Sequence, residues 1–337
     1  MKSLLQFWNN QFRFDRPLES DSWVRDKLNR HLVGTLLNTF PHAATRLFAR
    51  SRGELARRVC VDFEGGSYRV FHAMYEYEKP HARGDLLNRL LMESPAAKAA
   101  RNRRKIAQAM LARCLLAARA DKPQLVLAIG GGDGTLEVEA IARCGRPNVF
   151  YCVVDKDEKA VADNPTVMQR HGLEGKGMVF IGDASEKRDL QAVVKEATGK
   201  FATPFEGVSV AVCHGITEYL DMGVPGNEIL HRLLRAIHDC AHPGGSLIIS
   251  QTDYHDRVRF VERGLRWTMR LRSMEELEAE IERAGWQISL CDHEPMQLIS
   301  LALAMKSSES LRRVDSPSRL RRPRTISASV APATRRR

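Results

Sequence analysis

Leu125-Val126-Leu127-Ala128-Ile129-Gly130-Gly131-Gly132-Asp133-Gly134-Thr135 runs an apolar strand pattern into a glycine-rich turn, and a helical pattern begins directly after it. Glycines let a backbone take conformations closed to other residues and come close to a ligand, while the start of a helix presents free N–H groups. The dinucleotide-binding fingerprint is not met, because the third glycine position counted from Gly130 is Thr135. The Lys-Ser/Thr pair of a phosphate-binding loop is also missing.

Working outward, short apolar runs alternate with helical patterns from residue 121 onward, the signature of a parallel, doubly wound sheet. The runs fall at 124–129, 149–154, 178–181, 208–213 and 246–250. Helical stretches lie between them at 136–144, 158–170, 185–198 and 227–240, and a further helix at 274–284 precedes two late strands at 287–291 and 297–305. Antiparallel strands commonly close such a sheet at its edge. Upstream, 22–58 reads as amphipathic helices broken near Pro41, Gly65-Gly66 reads as the turn of a β-hairpin over 59–72, and Ser94-Pro95 caps a helix reaching about residue 118. The division expected is a helical region at 1–93, a Rossmann-like doubly wound α/β domain at 94–306, and a disordered basic tail at 307–337.

Ligands bind outside the carboxyl ends of parallel strands, so consecutive strand ends define one crevice. Asp155 ends the second strand, where a carboxylate can accept hydrogen bonds from both hydroxyls of a ribose, and Asp183-Ala184 follows the third, suited to an adenine amino group. Asp133 and Asp157 read as a turn residue and a helix start. His214 follows the fourth strand with Glu218 and Tyr219 just beyond it, and His255 follows the fifth; these are the candidates for the reacting end of the crevice. Cys213 reads as a buried, inert thiol. On the helix before the first strand, Arg101, Asn102 and Arg103 cannot all face one way, and Arg101 is taken as the partner of a ligand carboxylate.

The glycine turn, Asp155 and the Gly182-Asp183-Ala184 step resemble, in order and spacing, the first three motifs of the class I S-adenosylmethionine-dependent methyltransferases. The resemblance runs over roughly 94–306 and implies that this part is the catalytic domain and that the helical region 1–93 is a lid and substrate region. A bacterial methyltransferase group is similar in more specific places: Ser94-Pro95 to Arg101-Asn102-Arg103, His214-Gly215 to Glu218-Tyr219-Leu220, Ser250-Gln251 with His255, and Trp267 to Ser273 leading into Glu276 and Ala284-Gly285-Trp286. It implies S-adenosylmethionine as cofactor, held through Gly130, Gly132, Gly134, Asp155, Asp183 and Ala184, and methyl transfer to an acceptor. Where the family usually carries an acid two residues before the first glycine, this chain has Ala128. That departure keeps other displacements at the sulfonium open, such as intramolecular cyclisation to azetidine-2-carboxylate. The Gly-Gly-Gly-Asp-Gly string is also similar to the aminopropyltransferases, but their Asp-rich catalytic segment has no counterpart in Val212-Cys213-His214-Gly215.

Charge narrows the partners. The chain has 337 residues and a formal charge of +11, of which the nine arginines of 307–337 against Glu309 and Asp315 supply +7. The body therefore has little excess charge and no basic stripe interleaved with aromatics, which points to a small-molecule acceptor rather than nucleic acid. A nucleic-acid or anionic-surface binder working through the tail is the alternative outside enzymes. The seven cysteines show no CxxC and no zinc-type spacing, so no metal is expected, and reduced cytoplasmic thiols are the simplest account. No 18-residue apolar run occurs, so no membrane span is expected.

Overall fold

The computed structural model describes residues 2–77, 85–255 and 259–307. Its centre is a seven-stranded sheet in the order β3-β2-β1-β4-β5-β7-β6. The strands are β1 (Gln124–Ile129), β2 (Val149–Asp155), β3 (Gly177–Ile181), β4 (Val208–Cys213), β5 (Ala241–Thr252), β6 (Gln287–His293) and β7 (Ile299–Met305). The first five run parallel, and β7 is antiparallel to both β5 and β6. Every residue of β1 is buried, as a central strand covered on both faces must be, and this explains why its sequence is apolar without alternation. The chain moves from β1 outward to β2 and β3, then returns to place β4 on the other side of β1. That reversal opens a crevice above β1 and β4, at the carboxyl ends of the strands.

The chain starts with ten helical residues, α1 (Lys2–Gln11), followed by α2 (Trp23–Lys27), a π-helical stretch Leu28–Val33, α3 (Gly34–Thr39) and α4 (Pro41–Phe48), with the break at Pro41 where the sequence places it. Next come α5 (Glu54–Cys60), α6 (Tyr68–Tyr75), α7 (Leu86–Met92) and the 23-residue α8 (Pro95–Ala117), which Ser94 caps by accepting from the Ala97 amide. The hairpin expected over 59–72 is therefore replaced by two helices, and only its Gly65-Gly66 turn survives, as the loop between them. The reason is burial at helical spacing: Leu55 with Val59, and Val70 with Met74, pack into a cluster with Met92, Phe260 and Leu265.

Among the strands lie α9 (Thr135–Cys144), α10 (Glu158–Val161), α11 (Asn164–Arg170), α12 (Lys187–Phe201), α13 (Glu228–Cys240) and α14 (Met274–Arg283). The single helix expected at 158–170 is two, because Pro165 sits in the first turn of α11 and cannot continue a helix from α10. One face of the sheet packs on α8 and α9 together with Trp8, Phe12 and Leu18 of the chain's beginning. The other packs on α12, α13 and α14 through Leu190, Leu233, Leu277 and their neighbours. Of the N-terminal aromatics, Trp8 and Phe12 are core, and Phe7 and Phe14 pack against it. The tail expected to be disordered lies outside the described residues, apart from Ser307.

Candidate functional site

A cavity of about 570 Å³ opens over the carboxyl ends of β1 to β4, roofed by α6 and walled on one side by α8. That volume lies within the usual range for small-molecule sites, about 300 to 1,000 Å³. The turn after β1 forms its floor. Gly132 has φ +57°, and a Cβ there would stand 3.0 Å from the Cβ of Tyr68 on α6, so the close approach of roof to floor depends on glycine. Gly130 and Gly132 line the cavity; Gly134 does not. Instead Gly134 caps α9, and a Cβ there would meet the Tyr151 hydroxyl at 2.2 Å, which makes its role one of packing.

Asp155 and Asp183 both reach the cavity wall, as does Ala184. Asp155 is tied to the floor by accepting from the Gly132 amide at 3.3 Å, and its second oxygen accepts from the Asp157 amide at 3.0 Å. Asp183 is exposed at the rim and accepts from the Ser185 amide and hydroxyl at 2.9 and 2.7 Å. Burial alone would raise its carboxyl, but the Ser185 bonds, with Lys156 and Arg232 nearby, hold it below the ordinary range. Asp133, read as a turn residue, also lines the cavity and pairs with His72 of α6 at 3.3 Å, tying roof to floor. The pair raises the His72 imidazole above its usual value through the bond to Asp133.

At the other end, His214 and Tyr219 line the cavity. His214 Nδ1 lies 2.9 Å from Ser250 Oγ, while Nε2 is buried without a partner. Burial, then the charge of Arg103, brings its pKa down to about 3, so the ring is neutral at any ordinary pH. The Tyr219 hydroxyl accepts from Trp267 Nε1 at 2.8 Å, and burial raises the phenol well above its normal range. Glu218 stands behind this wall rather than in it: it accepts from the Thr252 amide and hydroxyl at 3.1 and 2.7 Å and from Thr217 Oγ1 at 3.2 Å.

Two further candidates are displaced. His255 lines a separate crevice of about 10 Å³ with Trp267 and Met269, because the chain past β5 turns away from the strand ends. Arg101 is held elsewhere by a two-pronged bond to Glu19, 2.7 Å on each arm, and by the Met92 carbonyl. It is Arg103, two residues on and about 200° around the helix, that reaches the cavity wall. Also absent from the sequence reading are Tyr68, Phe71, His72 and Tyr75, which line the roof from one side of α6, and Glu137, at the start of α9. The first four were legible as a helical face, at spacings of three and four, had the segment not been read as strands. Glu137 is buried, and burial first, then Asp133, pushes its carboxyl up to about 8. Among the described residues no cluster of ligating side chains suits a metal ion.

A doubly wound parallel sheet with an antiparallel closing strand, a glycine floor and strand-end acids is the fold of a class I methyltransferase. The chain belongs to the family described as "Putative methyltransferase", whose model matches residues 26–306. No curated protein matches it. Among solved structures it is similar to a "possible exported protein" of Bordetella parapertussis, at 18% identity and TM-score 0.61, over 86% of this chain and 98% of that one. An O-methyltransferase family protein from Burkholderia thailandensis is 14% identical at TM-score 0.48, over 91% of this chain and 84% of that one.

Proposed function

We propose that this chain is an S-adenosylmethionine-dependent methyltransferase acting on a small-molecule acceptor. The observation that carries it is one cavity joining two acids at the ends of β2 and β3, Asp155 half-buried and Asp183 exposed, to a sealed wall after β4. Family membership supports the transfer, and the cavity fits the cofactor: the glycine floor leaves no room for side chains, and the unpartnered His214 Nε2 waits beside the reacting end. Asp155 accepts from the ribose hydroxyls and Asp183 from the adenine amino group, so Gly130, Gly132 and Ala184 shape the surface between them. When bound, the cofactor supplies an electrophilic methyl group, and the protein's part is alignment and exclusion of water.

The residues of the sealed wall suit that part. Tyr219, fixed by Trp267, presents a phenol that stays protonated, and Glu218 braces the backbone of β5 behind it. His214 is too weak a base to take up a proton near neutrality, so it orients through Nε2 instead of deprotonating. The N-terminal helices up to residue 93 act as lid, with the aromatic face of α6 toward the acceptor. Seven free cysteines, and no described helix long and apolar enough to cross a membrane, are consistent with a cytoplasmic enzyme.

The test is to incubate the purified protein with S-adenosylmethionine, alone and then with bacterial extract, and to follow products by mass spectrometry. S-adenosylhomocysteine formed only with extract is the expected result. Methylthioadenosine formed without any acceptor would overturn it, since the carbon attacked would then not be the methyl.

A further inference from the structure

Three arginines are buried in this part of the molecule, and they differ in how their donors are used. Arg101 spends its guanidinium on both oxygens of Glu19 and on the Met92 carbonyl. Arg272 makes five hydrogen bonds, to Asn227, Thr217, Gln251, Leu220 and Asp221, the last a salt bridge at 3.0 Å. Arg103, with a side chain 3% exposed, makes one, from Nη2 to the Tyr75 hydroxyl at 3.0 Å. Its Nε has no partner. A salt bridge to Glu218, Nη1 to Oε1 at 3.7 Å, balances its charge but is too long for a hydrogen bond, and Glu218 already holds Thr252 and Thr217.

An arginine cannot shed its proton, and a buried charge with most of its five donors idle is costly unless something else engages them. Arg103 lies in the cavity wall, its guanidinium 4.7 Å from the centre of the Phe71 ring, with His214 and Tyr219 across from it. The ring holds the fork on one side without using its N–H groups; Nε is sealed, but Nη1, which makes no hydrogen bond, and the second N–H of Nη2 remain free for a planar acceptor.

We propose that Arg103 is a carboxylate-binding site within the cavity, supported by Phe71 and Tyr75, and that the ligand's carboxylate completes its hydrogen bonding. This rests on the cofactor reading above. A carboxylate reaches the wall from one of two sources: the amino-acid end of S-adenosylmethionine, or an acidic acceptor. Ala128, which leaves the strand before the glycine turn without the family's usual acid, is consistent with the ligand's anionic group being the one the protein grips.

Calorimetry on the whole chain decides it, with two ligand pairs that differ in a carboxylate. If the cofactor supplies the group, the wild-type protein binds S-adenosylmethionine about tenfold or more tightly than its decarboxylated form, as expected for a charge-assisted fork. Arg103→Gln then removes the difference, and Arg103→Lys, which keeps charge without the fork, restores part of it. If the acceptor supplies it, the two cofactors bind alike, but protein saturated with S-adenosylhomocysteine takes benzoate about tenfold more tightly than benzamide, again only with Arg103. Absence of discrimination in both pairs overturns the proposal, as does discrimination that survives Arg103→Gln. The ligand pairs in the wild-type protein give this answer even if a variant fails to fold. S-adenosylhomocysteine binding that still depends on Asp155 would leave the cofactor reading standing in either case.

Discussion

The two ends of the cavity solve different problems with the same kinds of side chain. Past β2 and β3 the acids are reached by water and accept from nearby backbone amides, and Asp183 is held below the ordinary carboxylate range. Past β4, and on α8 and α9, the titratable groups are sealed: His214 is held neutral, Tyr219 protonated, and Glu137 pushed up to about 8. Arg103, on the same wall, keeps its charge. Wet acids are suited to holding a polar ligand by hydrogen bonds that it would otherwise make to water. A dry wall is suited to displacement chemistry, where stray water is a competing nucleophile.

The contrast breaks first at Asp155. Asp155→Ala should weaken S-adenosylhomocysteine binding about five- to over a hundredfold in calorimetry, the equivalent of about 1 to 3 kcal/mol for leaving two ribose hydroxyls unpartnered. A change under twofold would place the ribose elsewhere.

On the sealed side, the largest effect belongs to Glu137. Its folded value of about 8 lies above the ordinary 4.5, so the folded state keeps a proton that the unfolded state releases. Stability therefore falls as pH rises from about 4.5 to about 8, by at most about 1.4 kcal/mol per pH unit. Glu137→Gln, which keeps the neutral shape, should remove that component of the fall, measured as urea midpoints from pH 5 to 9. Parallel curves for the two proteins would mean that Glu137 is wet.

A sharper but smaller test is the His214 ring. Its proton resonances should not move between pH 5 and 9, because its titration lies near 3. A midpoint near 6.5 would open the wall to solvent and make a general base of it.

The smallest effect concerns the tie between roof and floor. The His72 pair with Asp133 raises the histidine, so its contribution is complete below the ordinary value and lost as pH rises through the raised one. Half-exposed pairs are weak, so His72→Ala should lower cofactor affinity by no more than about fivefold at pH 6 and leave it unchanged at pH 9. An equal loss at both would assign His72 to packing.

Much of the sheet was readable from the residues because β1 and β4 are central and almost wholly buried, and appear as apolar runs broken inside only at Ser209; their bounds match the expectation at both ends. Strand ends carry the site for a topological reason, so Asp155, Asp183 and His214 could be located without knowing any contact. Arg103 could not be told from Arg101, and the reason lies in α8. Every residue from 97 to 103, charged and polar ones included, is buried, so this part of the helix has no solvent side from which a phase could be set. His255 failed differently: past the end of β5 the chain follows a loop, and no periodicity records where a loop goes. In 59–72 the runs on either side of Gly65-Gly66 were too short to separate period two from period 3.6.

Trp8 is fully buried, and its indole N–H donates to the carbonyl of His293, 285 residues away along the chain. The indole of the opening helix therefore has no finished seat until nearly the last strand pair has formed. As the chain leaves the ribosome, α1 is made well before the strand that completes this seat, so the Trp8 indole N–H lacks its carbonyl partner until residue 293 has emerged. The order of manufacture and the order of assembly run opposite to each other at this one corner, which makes it the place where a stalled or truncated chain would be most open to misassociation.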